Sequence, residues 1–520
     1  MIRKNLSDYV AYWAEVSPER EALVYGERRI SYREFDQLAT RLAAGLEALG
    51  VARGDRVAIQ LTTLPEYILL YMGIARRGAV MVGINPLYTA DEVAYLLEVT
   101  RPRLLVSAPP FVERLEQAMA RVPVERRVLL GGGPAALGGE APGWMPWEEF
   151  VNLGAAGGGA GAARGPGAVR REWPTDPDDP VLIVFTSGTT GKPRGAVLSH
   201  RNIISNIAVE VRHFHLSSSD RMVIHLPMNH VGGATEMTIG AIIAGATMLV
   251  LDRFHPQKTL ELVARERATF LGQVPTMFIM ELNLPDFERY DLSSLERLAV
   301  AGAPTPTEVM KRMLRIAPVI TGYGMTEVAG FVTYTELEDD PETVCRTVGR
   351  AAPEFELKVV GAAGQELPTG ETGEVVVRGP CVTRGYYGDE AATREAIDAE
   401  NWYHTGDMGY LDKRGYLTLA GRKQEMYITG GYNVYPPEVE EALSQHPDVL
   451  LAACVGVPDP VLGEVGRAFV VFRPGRAVEA EALRAHLAGR LAEYKIPRYF
   501  EFKESLPMTP LGKVDKKLLR

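Results

Sequence analysis

The sequence predicts an α/β protein. It should have a large N-terminal region of mostly parallel α/β sheets, a β-rich subdomain within that region, and a small C-terminal α+β domain. Three observations point there. Helical and extended patterns alternate over the first 130 residues and again from Val181 to about residue 335, as they do when helices cross between parallel strands. Near residue 345 the texture shifts to short strand-like runs between the turn signals GAAG, PTGETG and DKRG. After Gly421-Arg422 it shifts again, which sets the expected division into residues 1–421 and 422–520.

Taken in order, residues 35–50 place apolar side chains at helical spacing and end in glycine, and residues 56–61 (RVAIQL) read as a strand. Residues 65–77 are helical and 79–84 extended. Gly/Ala-rich stretches between 131 and 169 interrupt the rhythm, and GAAGGGAGAARGPGA reads as a flexible surface connection. The apolar run at 237–251 falls short of the ~20 residues a spanning helix needs and is broken by Gly240 and Gly245, so a buried helix, turn and strand are expected. Residues 359–360, 374–378 and 416–420 read as strands of a more antiparallel region. Beyond Arg422, residues 439–443 are helical, 449–457 extended and 480–493 helical.

The bulk numbers exclude several classes. At 520 residues the chain has room for three or four units of roughly 150 residues. Charged residues at 23% and hydrophobic residues at 46% are ordinary for a globular protein. A net charge of −10 argues against a nucleic-acid partner but leaves room for an anionic cofactor, because binding is local. Three cysteines, far apart, offer neither metal-ligand spacing nor a disulfide framework, and they fit a reducing cytoplasm. The opening stretch MIRKNLSDYVAYWAEV has no apolar signal core, so neither a secretion signal nor an integral membrane segment is expected.

Residues 186–195 read TSGTTGKPRG and follow the apolar run VLIVF. The spacing is not that of a Walker A loop: two residues, not four, separate Gly188 from Gly191-Lys192, and Pro193 takes the hydroxyl position. The chemistry still favours phosphate. The glycines let backbone N–H groups approach an anion, Thr186, Ser187, Thr189 and Thr190 add hydroxyls, and Lys192 and Arg194 add charge.

This loop resembles the phosphate-loop signature of the adenylate-forming superfamily, which includes acyl-CoA synthetases, peptide-synthetase adenylation domains and luciferases. Four further stretches follow in that superfamily's order: YGMTE at 323–327, HTGD at 404–407, Gly421-Arg422 with Gly430-Gly431 and Pro436-x-Glu438, and PLGKVD at 510–515. Together they span nearly the whole chain. The resemblance implies a two-step reaction. A carboxylate attacks the α-phosphate of ATP to give acyl-adenylate and pyrophosphate, and a thiol then displaces AMP. It implies ATP, Mg2+ and CoA as cofactors, an organic acid as partner, and a mobile small domain that swings between the two steps. A homodimer is left open.

By that resemblance, Thr186, Ser187, Gly188, Thr189, Thr190, Gly191 and Lys192 would hold the β- and γ-phosphates. Gly302, Ala303, Pro304 and Tyr323 would flank adenine, with Gly324, Met325 and Thr326 completing the nucleotide wall. Glu327 would ligate Mg2+, a hard cation that takes oxygen ligands. Asp407 would bridge the ribose hydroxyls, with Arg422 beside it. Lys513 would be the adenylation catalyst, setting an ammonium where negative charge builds up. Gln424 stands where the superfamily usually has Asp or Lys at the hinge, and Gly430, Gly431 and Tyr432 resemble the lining of a pantetheine channel.

His230, Val231, Gly232 and Gly233, in PMNHVGG, resemble the acyl-side motif, with His230 flanking the reacting acyl group. The residues after it are small and apolar, and no aspartate stands nearby to pair an α-ammonium, whose burial alone would be costly. The expected substrate is therefore a hydrophobic acid: a medium- or long-chain fatty acid first, alicyclic or aryl acids next. An acyl-AMP ligase loading a carrier protein is the near rival, and a nucleotide-binding regulator without turnover the distant one.

Overall fold

Two largely parallel sheets with helices between them make up the large region. The computed structural model describes residues 3–131, 143–156, 175–186, 193–509 and 512–520. Among these, a seven-stranded sheet runs Trp144–Pro146, Arg127–Leu129, Leu104–Ser107, Arg56–Gln60, Val80–Gly83, Pro180–Thr186, Arg194–Ser199, and only its last pair is antiparallel. A nine-stranded sheet runs from Arg350–Ala351 through Gly330–Tyr334, Val319–Met325, Arg297–Val300, Phe270–Gln273, Arg221–Ile224 and Thr247–Val250 to Glu21–Tyr25 and Arg28–Ser31. Strands covered on both faces read as unbroken apolar runs, and Val80–Gly83 and Thr247–Val250 are buried throughout.

Helix signals behave as their chemistry requires. Ser31 and Glu34 close a capping box on Tyr32–Ala48, and Ser199 and Asn202 do the same for His200–His213. Residues 237–251 form the expected helix Thr238–Ala244, a turn, and strand Thr247–Val250. One expectation fails. The α/β rhythm continues through residues 143–156, where Trp144–Pro146 extends the seven-stranded sheet and Trp147–Ala156 is helical. Gly154, assigned from sequence to a flexible connection, is a helix residue so close to Arg41 that a Cβ there would lie 2.0 Å from its carbonyl oxygen. Glycine here permits packing rather than disorder. The remainder of that connection, from residue 157, lies outside the described residues.

Glu356–Val360, Gly373–Arg378, Tyr403–Leu411 and Leu417–Arg422 form the antiparallel β-rich part. Beyond it, Tyr432–Val434, Tyr427–Thr429, Gly463–Phe472 and Val449–Asp459 pair antiparallel, and Tyr499–Phe502 adds a parallel strand. The core of this last unit draws only on residues between 427 and 519. The helix expected over 480–493 stops at Ala488, and a separate single turn covers Glu493–Lys495.

Candidate active site

Six of the proposed phosphate-loop residues, Ser187 to Lys192, lie outside the described residues. Their frame does not. Pro180–Thr186 and Arg194–Ser199 pair antiparallel with Thr186 opposite Arg194, and the Thr186 hydroxyl donates to the Arg194 carbonyl at 3.3 Å. The returning strand is tied to the Tyr386 segment, since Tyr387 N–H donates to Gly195 O at 2.7 Å. The Tyr386 hydroxyl in turn donates to Glu327 Oε1 at 2.9 Å and lies 3.1 Å from the Tyr403 hydroxyl. The loop frame and Glu327 are thus linked through two adjacent tyrosines, Tyr386 and Tyr387. Burial raises the Glu327 carboxyl above its ordinary range, with Tyr386 and Arg422 pulling it back. Among the described residues no group of three His, Cys, Asp or Glu gathers to hold a metal. A single carboxylate fits Mg2+, which keeps waters and takes further oxygens from phosphate.

Val319–Met325 and Tyr403–Leu411 bring Tyr323 and Asp407 together. The Tyr323 hydroxyl donates to Asp407 Oδ2 at 2.6 Å, and Arg422 Nε lies 3.1 Å from Oδ1. Both Asp407 oxygens are therefore held in place. Gly324 has a packing reason for being glycine: a Cβ there would lie 2.0 Å from Gly330 O. Met325 ends the strand, and Thr326 with Glu327 forms one tight turn that closes on Ala329 at φ +67.

Lys513 reaches this corner from the small unit. A Cβ at Gly302 would lie 3.1 Å from Lys513 Cε and 3.3 Å from Nζ, so the ammonium sits over the Gly302-Ala303-Pro304 loop. Burial and the Arg422 charge lower its pKa, while Glu236 and Asp407 oppose the shift. Its own turn holds it there: Thr509 N–H donates to Lys513 O at 2.7 Å, and the Thr276 hydroxyl donates to Gly512 O. The seam continues outward, with the Thr307 hydroxyl donating to Glu441 Oε1 at 2.7 Å and Arg473 to Asn283 Oδ1 at 3.3 Å. Half-buried Cys345 lies on the same seam, with Lys311 and Glu441 as charged neighbours. Residues 510 and 511 lie outside the described residues.

His230 faces the same space. Its Nδ1 accepts from Gly232 N–H at 3.1 Å, leaving the proton on Nε2, and burial next to Lys513 pushes its pKa down to about 3. Val231 is buried, and Gly232 and Gly233 open a π-helical turn, Gly232–Met237. Such turns cluster at functional sites. Gly233 packs onto backbone, 2.4 Å from Pro227 O for an added Cβ, whereas a Cβ at Gly232 would meet only side chains, Leu226 Cδ1 at 3.2 Å first.

Gln424 is exposed at the crossing between the large and small units, where Arg520 donates to its carbonyl at 3.2 Å. Gly430 and Gly431, at φ +56 and +89, make the two-residue turn that joins Tyr427–Thr429 to Tyr432–Val434, a geometry that asks for glycine. Tyr432 is exposed and stacks on Tyr494 with ring centroids 4.7 Å apart. Sequence reasoning missed Tyr386, Tyr403, Thr276 and Glu236. The first three carry no motif; Glu236 stands within reach of His230 in sequence, as an acid in an otherwise apolar stretch.

A family model described as AMP-binding enzyme matches residues 10–387, and its C-terminal domain matches 438–513. The chain belongs to this family, the adenylate-forming enzymes. It is 37% identical over 513 residues to a methyl-dioxo-octahydro-indenyl-propanoyl:CoA ligase of Rhodococcus jostii, covering 96% of this chain and 95% of that one. It is 32% identical over 543 residues to the mitochondrial medium-chain acyl-CoA ligase of Homo sapiens, covering 99% and 87%. Its structure matches an anthranilate CoA ligase in complex with anthranoyl-AMP at TM-score 0.90 and 27% identity, over 100% and 97% of the two chains. Family and relatives together define an AMP-forming acid–CoA ligase that uses ATP, Mg2+ and CoA.

Proposed function

We propose that the protein activates a hydrophobic carboxylic acid, a medium- or long-chain fatty acid or an alicyclic or aryl acid, in two steps on one site. The observation that carries this reading is the placement of Lys513 over Gly302, between His230 and the Tyr323–Asp407–Arg422 corner. That arrangement suits the first step. Asp407 takes the ribose hydroxyls, and Tyr323 with Gly302-Ala303-Pro304 borders the base. Lys513 places its ammonium between the carboxylate and the α-phosphate, where charge develops and a fixed cation stabilises most. His230, neutral at physiological pH, positions the acyl carboxylate without repelling Lys513. Mg2+ on Glu327 would neutralise the phosphates as pyrophosphate departs.

For the second step we place the boundary between units at residues 421 and 422, with Gln424 absorbing the rotation. Moving the small unit would withdraw Lys513 and bring the Gly430-Gly431 turn and Tyr432 toward the adenylate, lining a path for the thiol of CoA. Seam contacts are few and polar, which suits a surface that must part. Every group named comes from one chain, so turnover per chain should not change on dilution even if a homodimer forms. A cytoplasmic setting suits the three free thiols, and no described helix is long and apolar enough to cross a membrane.

Purified protein given ATP and Mg2+ should release diphosphate only when an acid is added, and release AMP only when CoA follows. Acid-independent diphosphate release, or AMP release that needs a carrier protein instead of CoA, would remove this reading. A panel of acids from acetate to long-chain and aryl members fixes the substrate range.

A further inference from the structure

The acyl side of the site holds more oxygen than a purely apolar acid can use. A Cβ at Gly232 would lie 3.2 Å from Leu226 Cδ1, 3.3 Å from His230 Nδ1 and 3.7 Å from Glu236 Oε2, so the Glu236 carboxyl lies on the same side of this turn as His230. Among the described residues no hydrogen bond reaches it. Behind it is a closely packed notch at Gly330, without room for a Cβ, which would meet Asn206 Oδ1 at 2.8 Å, Glu210 Oε2 at 3.0 Å and Glu236 Cγ at 3.4 Å. Asn206 is 0% and Glu210 1% exposed. Among the described residues Asn206 Oδ1 has no hydrogen-bond partner, and the Phe331 backbone N–H stands beside the Glu210 carboxyl. The Asn206 amide N–H groups are already committed to Val328 O and Phe331 O, each at 2.8 Å, which turns Oδ1 toward the notch.

Unpaired buried acceptors are expensive, and a ligand that brings a donor relieves the cost. We propose that Glu236 is a specificity-determining residue that selects hydrophobic acids carrying a neutral hydrogen-bond donor, a hydroxyl or a ring N–H, on the body of the acid. This rests on the assignment of His230 to Gly233 as the acyl wall. Burial, with the Glu236 carboxyl nearby, raises the Glu210 pKa well above its ordinary value, which favours its protonated form. That single O–H cannot serve Asn206 Oδ1 and the Glu236 oxygens together. Burial also lifts Glu236 to about 7, against the pull of Lys513. A hydroxyl both donates and accepts, so it matches Glu236 in either state. A cationic amine is disfavoured, because the Lys513 ammonium already acts on the same carboxyl.

The test measures CoA thioester formation on matched acids: decanoate against ω-hydroxydecanoate, cyclohexylpropanoate against its ring-hydroxylated form, and naphthylacetate against indolylacetate. Wild-type protein should favour the donor-bearing member in kcat/KM by about tenfold or more in at least one pair. Glu236→Leu should invert that preference by raising kcat/KM for the plain member, with KM for ATP unchanged. Glu236→Gln has the same shape and keeps an acceptor, so it should hold the preference within about threefold. Plain members preferred in every pair, or equal losses for both members in Glu236→Leu, would overturn the inference while leaving acid activation intact. No acid-dependent diphosphate release from any member would instead overturn the assignment of the site, and this inference with it.

Discussion

The corner proposed for ribose and the corner proposed for the acyl group lie on either side of Lys513, and they are built in opposite ways. Around Asp407 both carboxylate oxygens already have partners, Tyr323 at 2.6 Å and Arg422 at 3.1 Å. Around Glu236 and Asn206 the acceptor oxygens have none among the described residues. A site that meets the same sugar at every turnover gains from fixing its acceptors in advance, since preorganised groups cost nothing to align at the moment of reaction. A site that must recognise one acid among many gains from leaving its acceptors open, because the ligand that completes them is the one favoured.

The strongest challenge to this contrast is Lys513→Ala, which removes the group the two corners share. Acid-dependent diphosphate exchange should fall about 100- to 1000-fold, while thioester formation from supplied acyl-adenylate stays near wild type. Equal losses in both assays would mean that Lys513 does not divide the steps. The pH profile sharpens the same point. The Lys513 pKa is lowered in the free protein, so kcat/KM for adenylation should decline on the alkaline side earlier than an ordinary lysine would allow. His230, with its pKa near 3, should add no limb near neutrality.

A smaller effect separates the corners themselves. Asp407→Ala should raise KM for ATP by about 10- to 100-fold, the range of a charged hydrogen-bond acceptor, with KM for the acid nearly unchanged. Steady-state kinetics with each substrate varied in turn would show it, and a matching rise in the acid KM would erase the contrast.

The smallest expected effect lies behind the site. Glu281 is buried, accepts from Gln273 Nε2 at 2.8 Å, and burial raises its pKa from 4.5 to about 8. The folded protein thus holds a proton that the unfolded chain releases above 4.5, so this group's contribution to stability is lost as pH rises toward 8. Glu281→Gln should flatten the fall of Tm over that window, as differential scanning calorimetry would register. An unchanged slope would mean that Glu281 is ionised in the fold.

The two corners also differ in how much of them could be read from sequence. Tyr323, Asp407 and Arg422 sit in short fixed patterns on neighbouring strands, which brings their side chains together. The alternation of helices and strands was equally legible, because burial on both faces of a parallel sheet leaves long apolar runs. Glu236 was hidden by its local geometry: a π-helical turn departs from the 3.6-residue period on which a helical reading depends. Tyr386 and Tyr403 were invisible for another reason, since their contacts to Glu327 and to each other span 59 and 17 residues and arise only when the β-rich part folds back. Gly154 misled because glycine allows close packing as readily as disorder.

The seam between the units carries a built-in reporter. Cys381 and Cys454 are buried, and desolvation pushes their thiols up to about 12; burial raises the Cys345 thiol as well, but its partial exposure makes it the most accessible sulfur of the three. It stands beside Glu441 of the small unit. If the small unit swings as proposed, a maleimide dye attached there would brighten or dim with each swing, converting a native side chain into an optical clock for the turnover cycle.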